Sequence, residues 1–586
     1  MQQYQAPLRD MRYVIEDWLR APQAWQEMPA MAELDSELAE QILEEAARFA
    51  SDVLAPLNAS GDQQGCLYAN GEVRTPNGFP AAYKAFAEAG WPALAVRVED
   101  GGQGLPQLLN AALLEMFYAC NHAWAMYTGI AHGAYECLRH HAPEWLRQRY
   151  LPGIVSGELL PTMCLSEPQA GSDVGLLRTR AEPNADGSHR ITGNKIFASG
   201  GEHDLTTNIL HLVLARLPDA PAGSRGISIF VVPKLLDDGS RNAVHCDGIE
   251  HKMGIRASAT CALRFDGAHG WLLGKANQGL AAMFVMMNSA RLYVGMQGLG
   301  HTEAAWQSAM GYAAERRQMR AVKRPTGSPV AEADPIHYHP AMRHTLLNLR
   351  AHSEGMRMLG YWVAHLLDQS EYAADPEQRQ QSTELAMLLT PLVKAYFTEQ
   401  GFQQASAALQ VFGGYGYSQE YPIEQTLRDS RIAMIYEGTN EIQANDLLLR
   451  KVLRNPSTAL PALLALYRGE ASLASESPEW SEAAESLIEQ CDQLEQTIEE
   501  IRKAEAQDPE APYRSAGDFL HWLAVLSLGY VWLRATRVSQ GREDDPIHAS
   551  KQESARYYFS FCLPKAKHHA ALVQVGLATM LPFLPG

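Results

Sequence analysis

The chain has only eight cysteines in 586 residues (Cys66, Cys120, Cys137, Cys164, Cys246, Cys261, Cys491 and Cys562), and no two are spaced C-x-x-C. That pattern suggests neither a zinc site nor a disulfide framework. The plain reading is buried free thiols in a reducing compartment, and a cytoplasmic location is expected. Basic residues are in short supply: 49 Lys and Arg against 67 Asp and Glu, a formal net charge of −18. A nucleic-acid binder usually shows a basic face, so none is expected as a partner. No run of about 18 or more apolar residues occurs, so no integral membrane segment is expected. Leu572 to Leu584 is apolar but short, is broken by Pro582 and Pro585, and reads as a docked tail. Met1-Gln2-Gln3-Tyr4 carries no basic region followed by an apolar one, unlike a signal peptide. Phosphate-binding signatures are also lacking. There is no P-loop, Gly102-Gln-Gly104 lacks a third glycine, and Gly295-Met-Gln-Gly298-Leu-Gly300 falls inside a helical run. A Rossmann unit is therefore not expected, and a flavin or nucleotide would have to bind in another way.

What is present is an ordinary globular composition, 46% hydrophobic and 20% charged, on a chain long enough for several domains. Residues 34–55 read as an amphipathic helix, with Leu38, Ile42, Leu43, Ala46 and Phe49 at helical spacing and Pro56 after its end. Helical patterning continues over 79–89 and 107–156. From about residue 160 the texture changes to short β-rich runs, Ile209–Ala215, Gly226–Val232 and Thr260–Phe265, mostly bounded by Gly, Pro, Asn or Asp. After about residue 276 helical spacing returns, with helices expected over 278–319, 337–369, 380–411, 422–434 and 440–453. Long helices with short connections suggest a bundle. Residues 320–336, with Pro325, Gly327, Pro329 and Pro335, read as an exposed loop. Asn455-Pro456 marks the start of a further helical region holding 18 Asp and Glu against 11 Lys and Arg.

Five segments stand out. Ile435-Tyr436-Glu437-Gly438-Thr439-Asn440-Glu441 sets one carboxylate between an aromatic residue and a glycine. Glu437 is a candidate general base, Gly438 lets backbone approach a flat ligand, and Thr439 can cap the helix that follows. By itself the segment is equally an acidic helix start. Leu165-Ser166-Glu167-Pro168-Gln169-Ala170-Gly171-Ser172-Asp173 offers N–H and hydroxyl donors to a ring or phosphate, or is a polar turn. Lys195-Ile196-Phe197-Ala198-Ser199 puts Phe197 and Ser199 on one strand face, an aromatic shield beside a hydroxyl, or else a buried Phe with an exposed Ser. Glu315-Arg316-Arg317-Gln318 ends a helix with cations that the helix dipole favours and that can also fork onto a pyrophosphate. Gln410-Val411-Phe412-Gly413-Gly414-Tyr415-Gly416 ends another helix in a glycine cluster that is a close-approach site or a simple cap.

Together and in this order, these segments resemble the acyl-CoA dehydrogenases, over roughly residues 35–455. The resemblance implies an α+β multidomain fold: an N-terminal helical domain, a middle β domain and a C-terminal four-helix bundle. The expected boundaries are 34–160, 161–275 and 276–455, flanked by an N-terminal extension (1–33) and an additional helical domain (456–586). These flanks resemble a bacterial subgroup that includes long-chain acyl-CoA and 3-(methylthio)propionyl-CoA dehydrogenases. The resemblance implies FAD as cofactor, lying between the middle domain and the bundle and extended across a subunit interface, hence a homodimer or homotetramer. Ser166, Gly171, Phe197 and Ser199 match flavin-contacting positions, as do Thr439 and Glu441 beside the base. Arg316, Gln318, Gln410 and Gly414 match residues that hold a neighbouring subunit's FAD. Ser172 and Arg291 match substrate contacts. Glu437 matches the catalytic glutamate of the short- and medium-chain branches; in other branches that glutamate precedes the bundle arginine, where this chain has Ala290.

The activity so implied is α,β-dehydrogenation of an acyl-CoA thioester to a trans-2-enoyl-CoA, as in fatty-acid β-oxidation. Glu437 would take the α-proton, hydride would pass to flavin N5, and electrons would go on to an electron-transferring flavoprotein. Two positions depart from the pattern: Gln169 replaces a common glycine, and Gln318-Met319-Arg320 replaces Gln-Phe-Gly. An acyl-CoA oxidase shares the base and flavin and is the nearest alternative. A DNA-binding flavoprotein of the same fold is the other, and the acidic balance of residues 456–586 argues against it.

Overall fold

The computed structural model describes residues 4–329, 331–454 and 458–584. The expected boundary marker Asn455-Pro456 and the expected helix breaker Pro585 lie outside the described residues. The chain divides into two compact units, one of Arg48–Pro106 with Cys120–Tyr293, the other of Met1–Ala47, Gln107–Ala119 and Val294–Gly586.

The first unit is built on a seven-stranded sheet. Along it run Leu159–Cys164, Asn208–Ala215, Ser228–Pro233, Thr260–Leu273, His189–Ser199 and Arg180–Pro183, and Val244–Ile249 also pairs with Thr260–Leu273. The first two strands are parallel and the other pairings antiparallel. Leu159–Cys164 and Ser228–Pro233 are buried at every residue, as continuous apolar strands covered on both faces must be. Helices Ala131–His141 and Glu144–Ser156 supply Tyr135, Leu138, Leu146 and Ile154 to the same core. Thr260–Leu273 runs well beyond the expected Phe265. The segment Asp266-Gly-Ala-His-Gly270 has turn chemistry, yet the strand continues because His189–Thr192 pairs with that segment, Ile191 opposite Ala268, and Ser228–Pro233 pairs with the end beyond it, Ile229 opposite Leu273. Pro56 follows the end of the preceding helical segment, Phe49–Leu54, as expected, and also opens the next helix, Pro56–Gln64, at a position where its missing N–H is no loss.

The second unit is helical. Helices Pro340–Tyr372 and Pro376–Phe412 are its longest complete pair. The glycines of the Gly295–Gly300 run serve helix packing rather than a nucleotide: a Cβ on Gly298 would sit 2.1 Å from the Phe397 carbonyl oxygen, and one on Gly300 2.8 Å from the Ala119 nitrogen. In helix Ser36–Arg48 the buried stripe is offset from the expected one, with Ala39 in the core and Leu38 42% exposed.

The N-terminal segment packs on the C-terminal helices. The Trp18 indole N–H donates to the Val531 carbonyl at 3.2 Å and lies under the Arg534 guanidinium at 4.5 Å. Helix Ala511–Ser539, their common partner, is long and apolar enough to cross a membrane, but 83% of its most apolar window is buried inside the protein. The tail expected to dock does so only in part: Val573 is buried in helix Lys565–Ala578, whereas Met580, Leu581, Phe583 and Leu584 beyond it are exposed. All eight cysteines are free, and all but the half-buried Cys66 are buried.

Candidate active site

In the helical unit Glu437 lies between the short turn Arg431–Met434 and helix Asn440–Asn445. Its φ of 55° is left-handed, a conformation that costs a non-glycine residue about 1–2 kcal/mol. Gly438 follows at φ 84°, where a Cβ would sit 2.8 Å from Gln443 Nε2. Side chains from three helices grip this turn. The Tyr436 hydroxyl donates to Gln297 Oε1 at 2.5 Å. Gln443 Nε2 donates to the Glu437 carbonyl at 3.0 Å, and Lys394 Nζ donates to the Gly438 carbonyl at 2.7 Å. Thr439 caps the next helix, its hydroxyl accepting from the Ile442 N–H at 3.4 Å. The same hydroxyl holds the Glu441 carboxyl below the usual range, helped by the charges of Lys394 and Arg431. The Glu437 side chain is half-buried.

A second feature of this unit is a cleft of about 390 Å³ lined by Tyr312, Arg316, Phe412, Tyr415 and Tyr421 among others. The Arg316 guanidinium lies 5.4 Å from the Tyr415 ring centre, and Phe412 stacks on Tyr312 at 4.3 Å. The structure thus brings the Arg316 helix end beside the Gly413–Tyr417 turn. Gly414 is exposed, with open space where a Cβ would stand. Gln410 is exposed one turn earlier. Gln318 is not among the residues lining the cleft: its backbone N–H donates to the Asp334 carbonyl at 3.0 Å, its carbonyl meets His339 Nε2 at 2.9 Å, and Met319 follows at φ 58°. The loop expected to be exposed is pinned here by buried Asp334, which accepts from the Ala321 N–H at 3.0 Å and from Arg324.

In the sheet unit the structure joins two of the expected segments. The Ile196 N–H donates to the Ser166 carbonyl at 2.9 Å. Lys195, fully buried, donates to the Leu165 carbonyl at 3.0 Å and to Glu167 at 2.8 Å. Glu167 also accepts from the Thr179 hydroxyl at 2.6 Å and the Arg178 N–H at 2.7 Å. Gln169, where the resemblance leads one to expect glycine, donates to Glu167 at 2.7 Å and closes the loop from outside. Phe197 stands on a bulge between Lys195 and Ala198, at φ 57° and 60% exposed. It and half-buried Ser199 flank buried Ala198. The reading of a buried Phe with an exposed Ser is thereby overturned, because the bulge turns the ring outward. Gly171 and Ser172 are exposed on the loop, and Arg291 is buried in helix Gly279–Glu315.

In the sheet unit, an exposed ring on a bulge and an open glycine at 171 suit a flat ring; in the helical unit, an arginine over a tyrosine in a cleft and an open glycine at 414 suit a charged, phosphate-bearing group. The residue types therefore fit a flavin dinucleotide. Lys195, Glu167 and Asn440 stand inside the segments singled out above but carry no supporting role in the sequence pattern, and Lys394, Gln443 and Gln297 lie outside the residues it points to. Lys394 left one signal, a lone charge inside the apolar run Leu388–Phe397.

Burial works to raise the Glu167 carboxyl, but the Lys195 charge and the hydrogen bonds from Lys195, Thr179 and Arg178 outweigh it and hold the group at about 2 against an ordinary 4.5. A depressed folded value means the stabilisation is whole above pH 4.5 and is lost as pH falls toward 2. The gap in thermal midpoint between the wild type and Glu167→Gln is therefore expected to narrow as pH falls below 4.5. A gap that stays constant on acidification through this range would contradict the pairing.

Four domain models match the chain in succession: acyl-CoA dehydrogenase N-terminal domain at 36–158, middle domain at 162–268, C-terminal domain at 277–451, and acetyl-CoA dehydrogenase C-terminal like at 464–583. With the fold just described, they make this chain an enzyme of the acyl-CoA dehydrogenase family. Among individual relatives, it is 39% identical over 535 residues to a 3-methylmercaptopropionyl-CoA dehydrogenase of Ruegeria pomeroyi, covering 90% of each chain. It is 35% identical over 471 residues to a butyryl-CoA dehydrogenase of Syntrophomonas wolfei, covering 76% of this chain and 75% of that one. Its fold matches that of ACDH-11 of Caenorhabditis elegans, solved in complex with C11-CoA, with a TM-score of 0.79 at 19% identity over 96% of this chain and 93% of the other.

Proposed function

We propose that the enzyme oxidises an acyl-CoA thioester between Cα and Cβ to the trans-2-enoyl-CoA, with Glu437 as the base. The observation that carries this reading is the turn at 436–438: a half-buried glutamate in a strained, left-handed conformation, on a backbone gripped by Gln443 and Lys394 and beside a Tyr436 hydroxyl held by Gln297. Such strain persists only where the surroundings over-determine it, and it concentrates at functional sites. A thioester carbonyl acidifies its α-hydrogens, and a positioned carboxylate lowers the remaining barrier. The Glu437 backbone N–H would stabilise the enolate character that develops on the carbonyl oxygen.

Ser166, Gly171, Phe197, Ser199, Thr439 and Glu441 would contact the flavin of FAD, and Arg316, Gln318, Gln410 and Gly414 the FAD of a neighbouring subunit. When bound, FAD supplies the two-electron acceptor, at N5, for the β-hydrogen. Ser172 and Arg291 would contact the acyl-CoA. The cross-subunit roles require a homodimer or homotetramer, and an electron-transferring flavoprotein would take the electrons.

The test is anaerobic addition of acyl-CoAs, from short to long chain and including 3-methylthiopropionyl-CoA, to the FAD-loaded enzyme. Loss of the oxidised flavin band with stoichiometric enoyl-CoA is expected for at least one member. A flavin that stays oxidised with every member would sink the reading.

A further inference from the structure

Lys394 has no exposed surface, and its helix neighbours Leu392, Val393, Ala395, Tyr396 and Phe397 are all buried. Keeping an ammonium there is costly, and the cost must be offset by well-placed acceptors. Two acceptors belong to the glutamate turn: the Gly438 carbonyl at 2.7 Å and Asn440 Oδ1 at 3.1 Å. Asn440 is itself held by the same helical turn, its Nδ2 donating to the Ala395 carbonyl at 3.0 Å and its Oδ1 accepting from the Thr398 hydroxyl at 3.2 Å. Residues 394–398 thus form a rigid plate to which the turn is fastened one residue past Glu437.

Resting on the function proposed above, we propose that Lys394 is a positioning residue for Glu437: its ammonium clamps the Gly438 carbonyl and Asn440, and so fixes the left-handed turn that presents the carboxylate. Lys394 itself does not touch the reacting atoms. Misplacing a reacting group by about 1 Å costs about 100-fold in rate, whereas the acyl-CoA contacts assigned above to Ser172 and Arg291 lie outside the clamp. The signature is therefore a loss in kcat with KM nearly kept.

The experiment uses the FAD-loaded full chain as wild type, Lys394→Met, Lys394→Gln and Glu437→Gln. Two quantities are read: kcat and KM with an accepted acyl-CoA, and wash-in of deuterium from D₂O at the α-carbon of an acyl-CoA analogue with no β-hydrogen. The second reports proton abstraction alone. Lys394→Met is expected to lose about 100-fold in kcat and in exchange, with KM within about threefold of wild type and flavin absorbance intact. Lys394→Gln retains a donor and is expected to recover to within about tenfold of wild type. Should Lys394→Met not accumulate as folded flavoprotein, Asn440→Ala, which removes the second acceptor, is expected to lose about tenfold in exchange. Wild-type exchange in whichever of these two variants folds overturns the positioning role. Loss of kcat with undiminished exchange overturns it equally. Undiminished exchange in Glu437→Gln is a separate result, which overturns the assignment of the base.

Discussion

Glu437→Gln is expected to lower kcat by about 10²- to 10⁴-fold, the usual contribution of a positioned general base, while FAD stays bound. Glutamine matches glutamate in size and keeps a carbonyl oxygen, but it cannot accept a proton at neutral pH. The change should leave the turn in place, because three grips on it fall on other groups: the Tyr436 hydroxyl, the Glu437 backbone carbonyl and the Gly438 carbonyl. The loss is therefore chemical rather than structural. Acyl-CoA binding, read by perturbation of the flavin spectrum, is expected to survive, and only flavin reduction should stall. Single-turnover kinetics under anaerobic conditions separate these steps. A reduction rate within about threefold of wild type would remove Glu437 from the chemistry.

The second large effect is on stability. Arg357, 1% exposed, meets three carboxylates: Glu115 through Nε at 2.9 Å and Nη2 at 2.5 Å, Glu303 at 2.8 Å, and Asp10. Glu115 takes a further bond from the Tyr361 hydroxyl at 2.7 Å, and Asp10 is shared with buried Lys551. These residues come from the N-terminal segment, from helices Gln107–Thr128, Gly279–Glu315 and Pro340–Tyr372, and from helix Pro546–Tyr557 of the C-terminal region. Removing one partner of a buried ion cluster strands charges that water no longer solvates, at about 3–5 kcal/mol. Arg357→Met is expected to lose at least that much, because three acids share the one guanidinium. Arg357→Lys should recover little, since a point charge cannot serve three carboxylates as the five-donor fork does. Thermal unfolding of the holoenzyme reads both variants. A Met variant that melts at the wild-type temperature would mean the cluster contributes nothing net. Burial pushes the Glu115 carboxyl upward, against the pull of Arg357. Adding Glu115→Gln to Arg357→Met should therefore restore part of the loss.

The fold was largely legible in the chain because hydrophobic period reports burial directly. The helix Pro376–Phe412 was expected within four residues at either end, and the fully apolar strand Ser228–Pro233 within two. Thr260–Leu273 was cut short because turn-like residues followed Phe265, and only a partner strand decided that the chain would stay extended there. Composition alone marks residues 572–584 as apolar enough to dock, but whether each one meets a surface is decided by packing, which buries Val573 and leaves Phe583 exposed.

The sequence alone determined which side chains are candidates for the chemistry. Glu437 beside Gly438, Ser166 and Ser172 in a polar turn, and Arg316 at a helix end are visible because their types and spacing are local facts. Tertiary structure alone decided what holds them. Phe197 points outward because of a bulge whose register is set across the sheet. Lys394 and Glu437 lie 43 positions apart in sequence, as do many pairs that never meet, until two helices bring that lysine under the glutamate turn. Hydrogen bonds act over about 3 Å, so a partner far away in sequence leaves no mark on local pattern; only the packing of the folded chain brings it within reach.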